Sequence, residues 1–327
     1  MRRILLTTAL LAACGSTVQP GGPPPATQPS DSTPLPDGGP VPVAAPAGPT
    51  LAGCPVFTAE SEWNRDVSGD PVDARSTEYL AAMDAATMKL QPDFGVYPYG
   101  QPFVVVDSSQ PAVPVAFRYA SQSDPGPYPY PQDVPLQVNE DRHAAVVDKD
   151  RCKLYETYST YADGQGGYRA DSGAVFDLRS SALRPDGWTS ARASGLPVLP
   201  GLVRLDEASQ GEIRHALAFI AGATAHAYVR PATHSSGTSN DSSAPPMGLR
   251  VRLRADFALA GFTGHSLVVL KALQRYGMFL VDNGTPLFWA LSGEQNPSWK
   301  MDDLEQLKRV PASAFEVVRT GEIHSGL

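Results

Sequence analysis

The chain has 327 residues, with 26 Lys and Arg against 34 Asp and Glu and a net charge of −8. That balance excludes a nucleic-acid or anionic-membrane binder driven by bulk charge, and leaves only a local basic stripe as a route to anions. Beyond the leader no apolar run approaches the roughly 20 residues that a membrane-spanning helix requires, so the main part is expected to be water-soluble.

Met1-Arg2-Arg3 gives a positive start, Ile4 to Ala13 an apolar stretch too short to span a bilayer, and Ala12-Ala13 the small residues of a cleavage site. Residues 1–13 are therefore expected to be a signal peptide. Leu11-Ala12-Ala13-Cys14 resembles the lipobox of bacterial lipoproteins, in which the cysteine is diacylated and becomes the new N-terminus. The resemblance implies export, attachment to the cell envelope through lipid on Cys14, and an extracytoplasmic main domain. Because Gly15 rather than Asp follows, it implies the outer membrane in a Gram-negative cell. Two or more acyl chains anchor stably, at about 0.8 kcal/mol per buried methylene. Between Gly15 and Gly53 the chain is rich in Pro, Gly, Ser, Thr and Ala, with only Asp31 and Asp37 as charges, a composition that builds no core. Residues 14–53 are expected to form a disordered, semi-stiff tether reaching at most about 120 Å, at about 3.1 Å per residue.

With Cys14 assigned to lipid, Cys54 and Cys152 remain as an even pair. A disulfide is expected, two buried free thiols being the alternative. No repeat or second linker interrupts residues 54–327, which read as one globular domain.

Ser76 to Met88 has helical spacing, and Asp124 to Pro135, with Tyr128 and Tyr130 among prolines, reads as a surface loop. His143 to Val147 and Cys152 to Tyr158 flank the turn Asp148-Lys149-Asp150-Arg151 and predict a hairpin. Strand-length stretches follow at Arg214 to Ile220, Ala225 to Arg230 and Leu249 to Phe257. Ser266 to Tyr276 predicts a helix capped by Ser266 and stopped by Gly277. Asn283-Gly284 suits a type I′ turn, so Met278 to Asp282 and Thr285 to Ala290 predict a second hairpin. Asp302 to Arg309 predicts a short helix opened by an Asp cap. Strands and helices do not alternate regularly. The expected fold is mainly β, a sandwich or jelly-roll-like single domain with a few peripheral α-helices.

Residues two apart share a strand face, so Asp141 and His143 point together if their strand begins that early, and Cys152, Leu154, Glu156 and Tyr158 share a face across the hairpin. A carboxylate beside leucine and cysteine is partly desolvated, which raises its pKa and suits a general acid. Glu156 with Asp141 or Asp177 would supply the two carboxylates of a glycosidase. The bland alternative is solvated strand residues and turn caps. A second group comprises His215, His226, Tyr228, Arg230 and His234, then Arg250, Arg252 and Arg254 on the face opposite Val251 and Leu253. Guanidinium forks bind carboxylate and sulfate, and neighbouring His or Tyr can exchange protons, a set suited to β-elimination on uronic-acid polymers. Ordinary ion pairs on a sheet exterior are the alternative. Trp188 either stacks on a sugar face or covers the core. The candidate catalytic residues are thus His143, Glu156, Asp177 and His215, and the candidate ligand contacts Trp188, Tyr228, Arg230, Arg250 and Arg252.

Widely spaced histidines and the lack of a His-Glu-x-x-His motif give no metal site, and no phosphate-cradling glycine loop is found, so neither metal nor cofactor is expected. Gly264-His265-Ser266-Leu267-Val268 fits a helix start better than a nucleophile elbow, and Asp282-Asn283-Gly284 a turn better than a catalytic site. Ser172 to Leu178, Arg184 to Ala191, Gly201 to Arg204, Gly211 to Leu217 and Pro246 to Arg250 together resemble a group of secreted bacterial proteins. That resemblance spans nearly all of Cys54 to Val318, implies a single domain, and carries no activity with it. The functional expectation is an envelope-anchored protein that binds or cleaves an extracellular polysaccharide, foremost an acidic one. A non-catalytic envelope protein binding a protein partner or wall polymer is the rival.

Overall fold

Strand-forming stretches dominate, and the computed structural model assembles them into a mainly β, sandwich-like fold with a few short helices. It describes residues 48–326 except Ala223, Thr285 and Pro286; the leader, the lipobox and most of the tether lie outside the described residues. Ordered structure begins ahead of Cys54, because Thr50–Leu51 pairs with Cys54–Pro55 and Leu51 is buried.

The larger sheet is six-stranded and mixed, in the order Phe315–Val317, Arg250–Leu253, Met278–Asn283, Leu217–Ala221, Trp289–Gln295, Leu90–Gly95. Its longest helix, Gly264–Arg275, buries Val269, Leu270 and Leu273. Gly277 ends it at φ 66°, where a Cβ would meet the Val251 carbonyl at 2.3 Å. The helix start differs from expectation. Thr263 is the N-cap residue, the Asp303 carboxylate accepts the His265 and Ser266 N–H groups at 2.6 and 3.4 Å, and the Ser266 hydroxyl donates to the Asp303 carbonyl at 2.6 Å. Asp302 likewise lies inside the first turn of Met301–Leu304, after Lys300, and caps nothing.

The smaller sheet runs Ser172–Asp177, Lys153–Tyr158, Ala144–Asp148, Val104–Val106. The expected hairpin is present, with Val146 opposite Tyr155. Every residue of Ala144–Asp148 is buried. Ala145 and Val147 face a cluster holding Cys54, Leu154, Phe176 and Leu199, while Ala144 and Val146 face another holding Tyr128, Tyr130 and Tyr168. Alternate side chains point to opposite faces, so a sheet covered on both reads as a continuous apolar run. Tyr128 and Tyr130 correct the surface-loop reading of Asp124 to Pro135: both rings are buried in the core under this sheet. Cys54 and Cys152 form a disulfide, with Cα atoms 5.4 Å apart, that ties the first strand pair to the hairpin turn.

The second expected hairpin does not form. Met278–Asn283 and Trp289–Gln295 are not paired with each other, because Leu217–Ala221 lies between them, parallel to the first and antiparallel to the second. Arg250 and Arg252 of the arginine stripe are covered, while Arg254 is exposed. Arg250 donates to the carbonyls of Tyr276, Glu62 and Arg65 at 2.6–2.9 Å and lies 4.8 Å over the Phe279 ring. Arg252 binds Glu316 and the Val67 carbonyl. Both fasten the Glu62–Val67 segment to the sheet edge. Arg250→Ala would leave three carbonyls short of a donor. The expected cost is about 3 kcal/mol, read from urea unfolding; an unchanged midpoint would show that this segment adds nothing to the fold.

Candidate functional site

A cavity of about 460 Å³ opens where ends of the two larger sheets approach one another. Asp141 and His143, which lead into Ala144–Asp148, and Tyr158, which ends Lys153–Tyr158, come from the smaller sheet. Asp282 and Asn283 come from the end of Met278–Asn283, and the irregular segments 189–193 and 234–236 complete the wall. Segment 189–193 is fixed by local bonds. The Ser190 hydroxyl donates to the Leu196 carbonyl at 2.6 Å and accepts from the Arg192 N–H at 2.9 Å, and the Ser194 N–H reaches the Val281 carbonyl at 3.2 Å.

Those bonds hold Arg192 in the wall, 6% exposed. Its Nη2 donates to Ser292 Oγ at 3.0 Å, its Nε is buried without a partner, and no carboxylate lies within 4.0 Å of it among the described residues. Burial lowers its pKa, opposed by Asp282, Glu156, Asp141 and Asp93. Asp282 lies deep in the molecule yet keeps part of its surface open to the cavity. Its carboxylate accepts the N–H groups of Ala193 and Asn283 at 3.2 and 2.9 Å. Burial nevertheless outweighs these bonds and Arg192, and Asp141 adds repulsion, so the Asp282 carboxyl is held above the usual aspartate range. Asp141 is raised by burial as well, with Arg192 opposing. Two carboxyls, both raised by burial, therefore share one wall with a guanidinium. Carboxyls raised in this way are suited to exchanging protons with a bound substrate.

His234 adds a second proton acceptor. Its Nδ1 donates to the Ala193 carbonyl at 2.6 Å, which fixes the tautomer and leaves Nε2 without a partner among the described residues. Asn283 Nδ2 donates to Ser236 Oγ at 3.2 Å, supplying amide and hydroxyl groups beside the carboxyls.

The four expected catalytic residues do not converge. His143 lines the cavity but is bonded at both nitrogens, to the Ala191 carbonyl at 2.7 Å and the Gln137 side chain at 2.6 Å. Burial lowers its pKa to about 3, and a neutral ring has one N–H to share between the two oxygens that face it, the Ala191 carbonyl at Nε2 and the Gln137 Oε1 at Nδ1. Glu156 lies behind the wall, fully buried, with its two oxygens accepting the N–H groups of Val198 and Leu199 at 2.8 Å each. Asp177 is exposed at the opposite end of its strand from Ser172, which lines the cavity, and accepts the Arg179 N–H. His215 is buried, held between the Ala216 carbonyl and Glu207 at 2.8 and 2.9 Å.

Among the expected ligand contacts, Arg250 and Arg252 are occupied as described above. Tyr228 is buried against His324, with ring centroids 5.1 Å apart. Arg230 pairs with Asp186 at 2.6 Å beside a separate pocket, and Trp188 is half-buried with Arg184 5.5 Å over its ring. Sequence reasoning found Asp141 and His143, assigned Asp282 and Asn283 to a turn, named His234 without a partner, and gave no weight to Arg192.

Glu156 and His143 make opposite contributions to stability against pH. Burial raises Glu156 to about 7, against 4.5 for the free group, so its contribution is present below pH 4.5 and is lost as pH rises through 7. For His143, lowered from 6.5 to about 3, the contribution is present above pH 6.5 and is lost as pH falls through 3. Between pH 4.5 and 6.5 the two slopes oppose each other. Glu156→Gln should therefore unmask stability that climbs with pH over that interval, measured by urea melts; a variant as flat as wild type there would contradict the assignment.

No protein-family model, curated protein or solved structure matches the chain.

Proposed function

We propose that the cavity binds a carbohydrate unit and cleaves its glycosidic bond by acid–base catalysis, with Asp141 and Asp282 as the carboxyl pair. The observation that supports this best is that pair itself: two carboxyls, both raised by burial, open to one cavity. The cavity volume falls within the roughly 300–1,000 Å³ of small-molecule sites. Arg192 opposes the rise of both carboxyls, while Asn283, Ser236 and the Nε2 of His234 offer hydrogen bonds to sugar hydroxyls. Tyr119 and Tyr158 give ring surface in the same wall. The test is release of reducing ends and of unsaturated products from neutral and uronate-containing polysaccharides. Wild type should cleave a member of the panel without forming unsaturated ends, and Asp141→Asn should lower turnover about 100-fold or more. A wild-type protein that neither binds nor cleaves any of them would overturn the reading.

The same proposal places the protein at the cell envelope, held by lipid on Cys14. The lipobox resemblance supports this, as does the pairing of the other two cysteines, which belongs to an oxidising compartment. Native protein should enter the detergent phase and begin at a diacylated Cys14. A mature chain that starts elsewhere and stays in the aqueous phase would remove the anchor.

A further inference from the structure

Beside the cavity stands a group of arginines that the fold does not use. The strands Val115–Phe117, Tyr168–Ala170 and Tyr161–Ala162 form a three-stranded sheet, with Arg169 opposite Tyr161 and the Arg118 N–H bonded to the Ala170 carbonyl at 3.0 Å. Arg142 and Arg169 both stack on the Tyr161 ring, at 4.6 and 4.5 Å from its centroid. Arg118 stacks on Tyr119 at 5.2 Å. Unlike Arg250 and Arg252, these three keep most of their donors. Arg142 gives one bond, from Nε to the Thr160 carbonyl, and Asp171, 3.7 Å from Arg118, is the one carboxylate within 4.0 Å of any of the three among the described residues. Two of them, Arg142 and Arg169, share the Tyr161 ring, and like charges so placed repel each other unless an anion sits between them.

The group is continuous with the cavity. Tyr119, under Arg118, lines it, as does Asp141, the residue before Arg142, and Tyr158 lies three positions before Tyr161. Inside the cavity the one guanidinium, Arg192, faces two carboxyls, Asp141 and Asp282, so no surplus of positive charge awaits an anion there. An acidic sugar is favoured at the rim over the interior.

We infer that Arg118, Arg142 and Arg169, with the rings of Tyr119 and Tyr161, form a rim subsite for a carboxylate or sulfate group on a glycan whose neighbouring neutral unit occupies the cavity. This rests on the carbohydrate reading of that cavity and specifies the substrate class: a chain in which acidic units lie next to neutral ones. Guanidinium forks bind such oxyanions with two parallel bonds, and the stacked rings hold the forks in place.

The probes are hyaluronan oligosaccharides, in which carboxylates alternate with neutral N-acetylated sugars, chitin oligosaccharides of equal length, and phosphatidylglycerol vesicles. Wild type should bind the hyaluronan oligosaccharides more tightly than chitin oligosaccharides at low salt, with the advantage shrinking as salt is added. The double variant R142A/R169A should lose about tenfold of the hyaluronan affinity and none of the chitin affinity. Arg169 is exposed, and Arg142 is half-buried with one side-chain bond, to the Thr160 carbonyl, so circular dichroism should show the fold retained in the double variant. Equal affinity of wild type for both oligosaccharides, or an unaffected double variant, would overturn the subsite; so would arginine-dependent binding to the vesicles with none to the oligosaccharides. Arginine-dependent binding without cleavage of any glycan would sink the catalytic reading and leave the subsite standing.

Discussion

Asp282→Asn is expected to abolish glycan cleavage, by at least about 100-fold in kcat/KM, while the protein stays folded and its stability depends less on pH. The amide has the shape of the carboxyl and can still accept from a backbone N–H, but it can neither give nor take the proton that the reaction requires. General acid–base groups contribute typically 10²–10⁴ in rate. The stability half of the prediction follows from the raised pKa. A carboxyl held above its usual range in the folded state contributes stability that is present at low pH and is lost as pH rises through the folded value. The neutral amide has no such loss, so the variant should gain on wild type as pH increases. Active sites commonly trade stability for function in this way, which makes the pair of readouts diagnostic. A variant that loses activity and also loses stability more steeply at high pH would point to a structural role. One that keeps turnover would remove Asp282 from the mechanism altogether.

The carboxyl pair also sets the shape of the pH profile. Both members are raised by burial, and Asp141 adds to the rise at Asp282, so the two limbs of a bell-shaped rate curve are assigned by substitution and not by position. Both limbs should lie above the range of exposed carboxylates. Asp141→Asn should remove one limb and leave the other above the ordinary aspartate range, because burial, the largest cause of the rise at Asp282, remains.

What could be read in the sequence was local. The hairpin of Ala144–Asp148 with Lys153–Tyr158 is encoded in two apolar stretches and one turn, so it was legible. The pairing of Leu217–Ala221 between Met278–Asn283 and Trp289–Gln295 joins segments some seventy residues apart, and Asn283-Gly284 carries no sign of that insertion. The same limit applied to the site. Asp141 and His143 stood out by their spacing, whereas Arg192 lies in Ala191-Arg192-Ala193-Ser194-Gly195, a segment with no strand or helix period, and its role follows from burial against another sheet. Arg250 and Arg252 misled for the converse reason. Their alternation was correct, but nothing in it revealed that Glu62 and Val67 would cover them. Periodicity reports which side chains share a face, while burial of that face depends on distant segments.

Removing the disulfide is the largest stability change expected. Cys54 and Cys152 are separated by 98 positions, and opening a loop of that size frees the unfolded chain by about 4–5 kcal/mol on the chain-entropy argument. That is comparable with the 5–15 kcal/mol by which domains are stable. The bridge also has a native-state role. Cys54 is fully buried among Ala145, Val147 and Leu154, and it holds Thr50–Leu51, whose Thr50 carbonyl accepts from Arg204 Nη2 at 2.8 Å. The two contributions can be separated. In Cys54→Ala/Cys152→Ala the urea midpoint should fall and the slope rise, because the unlinked unfolded chain exposes more surface. Limited proteolysis of the folded variant should then report on the first strand pair: protection at Thr50–Leu51 means that packing alone holds it, whereas cleavage there means that the covalent link does. If the double variant unfolds within about 1 kcal/mol of wild type, loop closure is not what stabilises this domain, and the two sheets owe their stability to the clusters on either face of Ala144–Asp148.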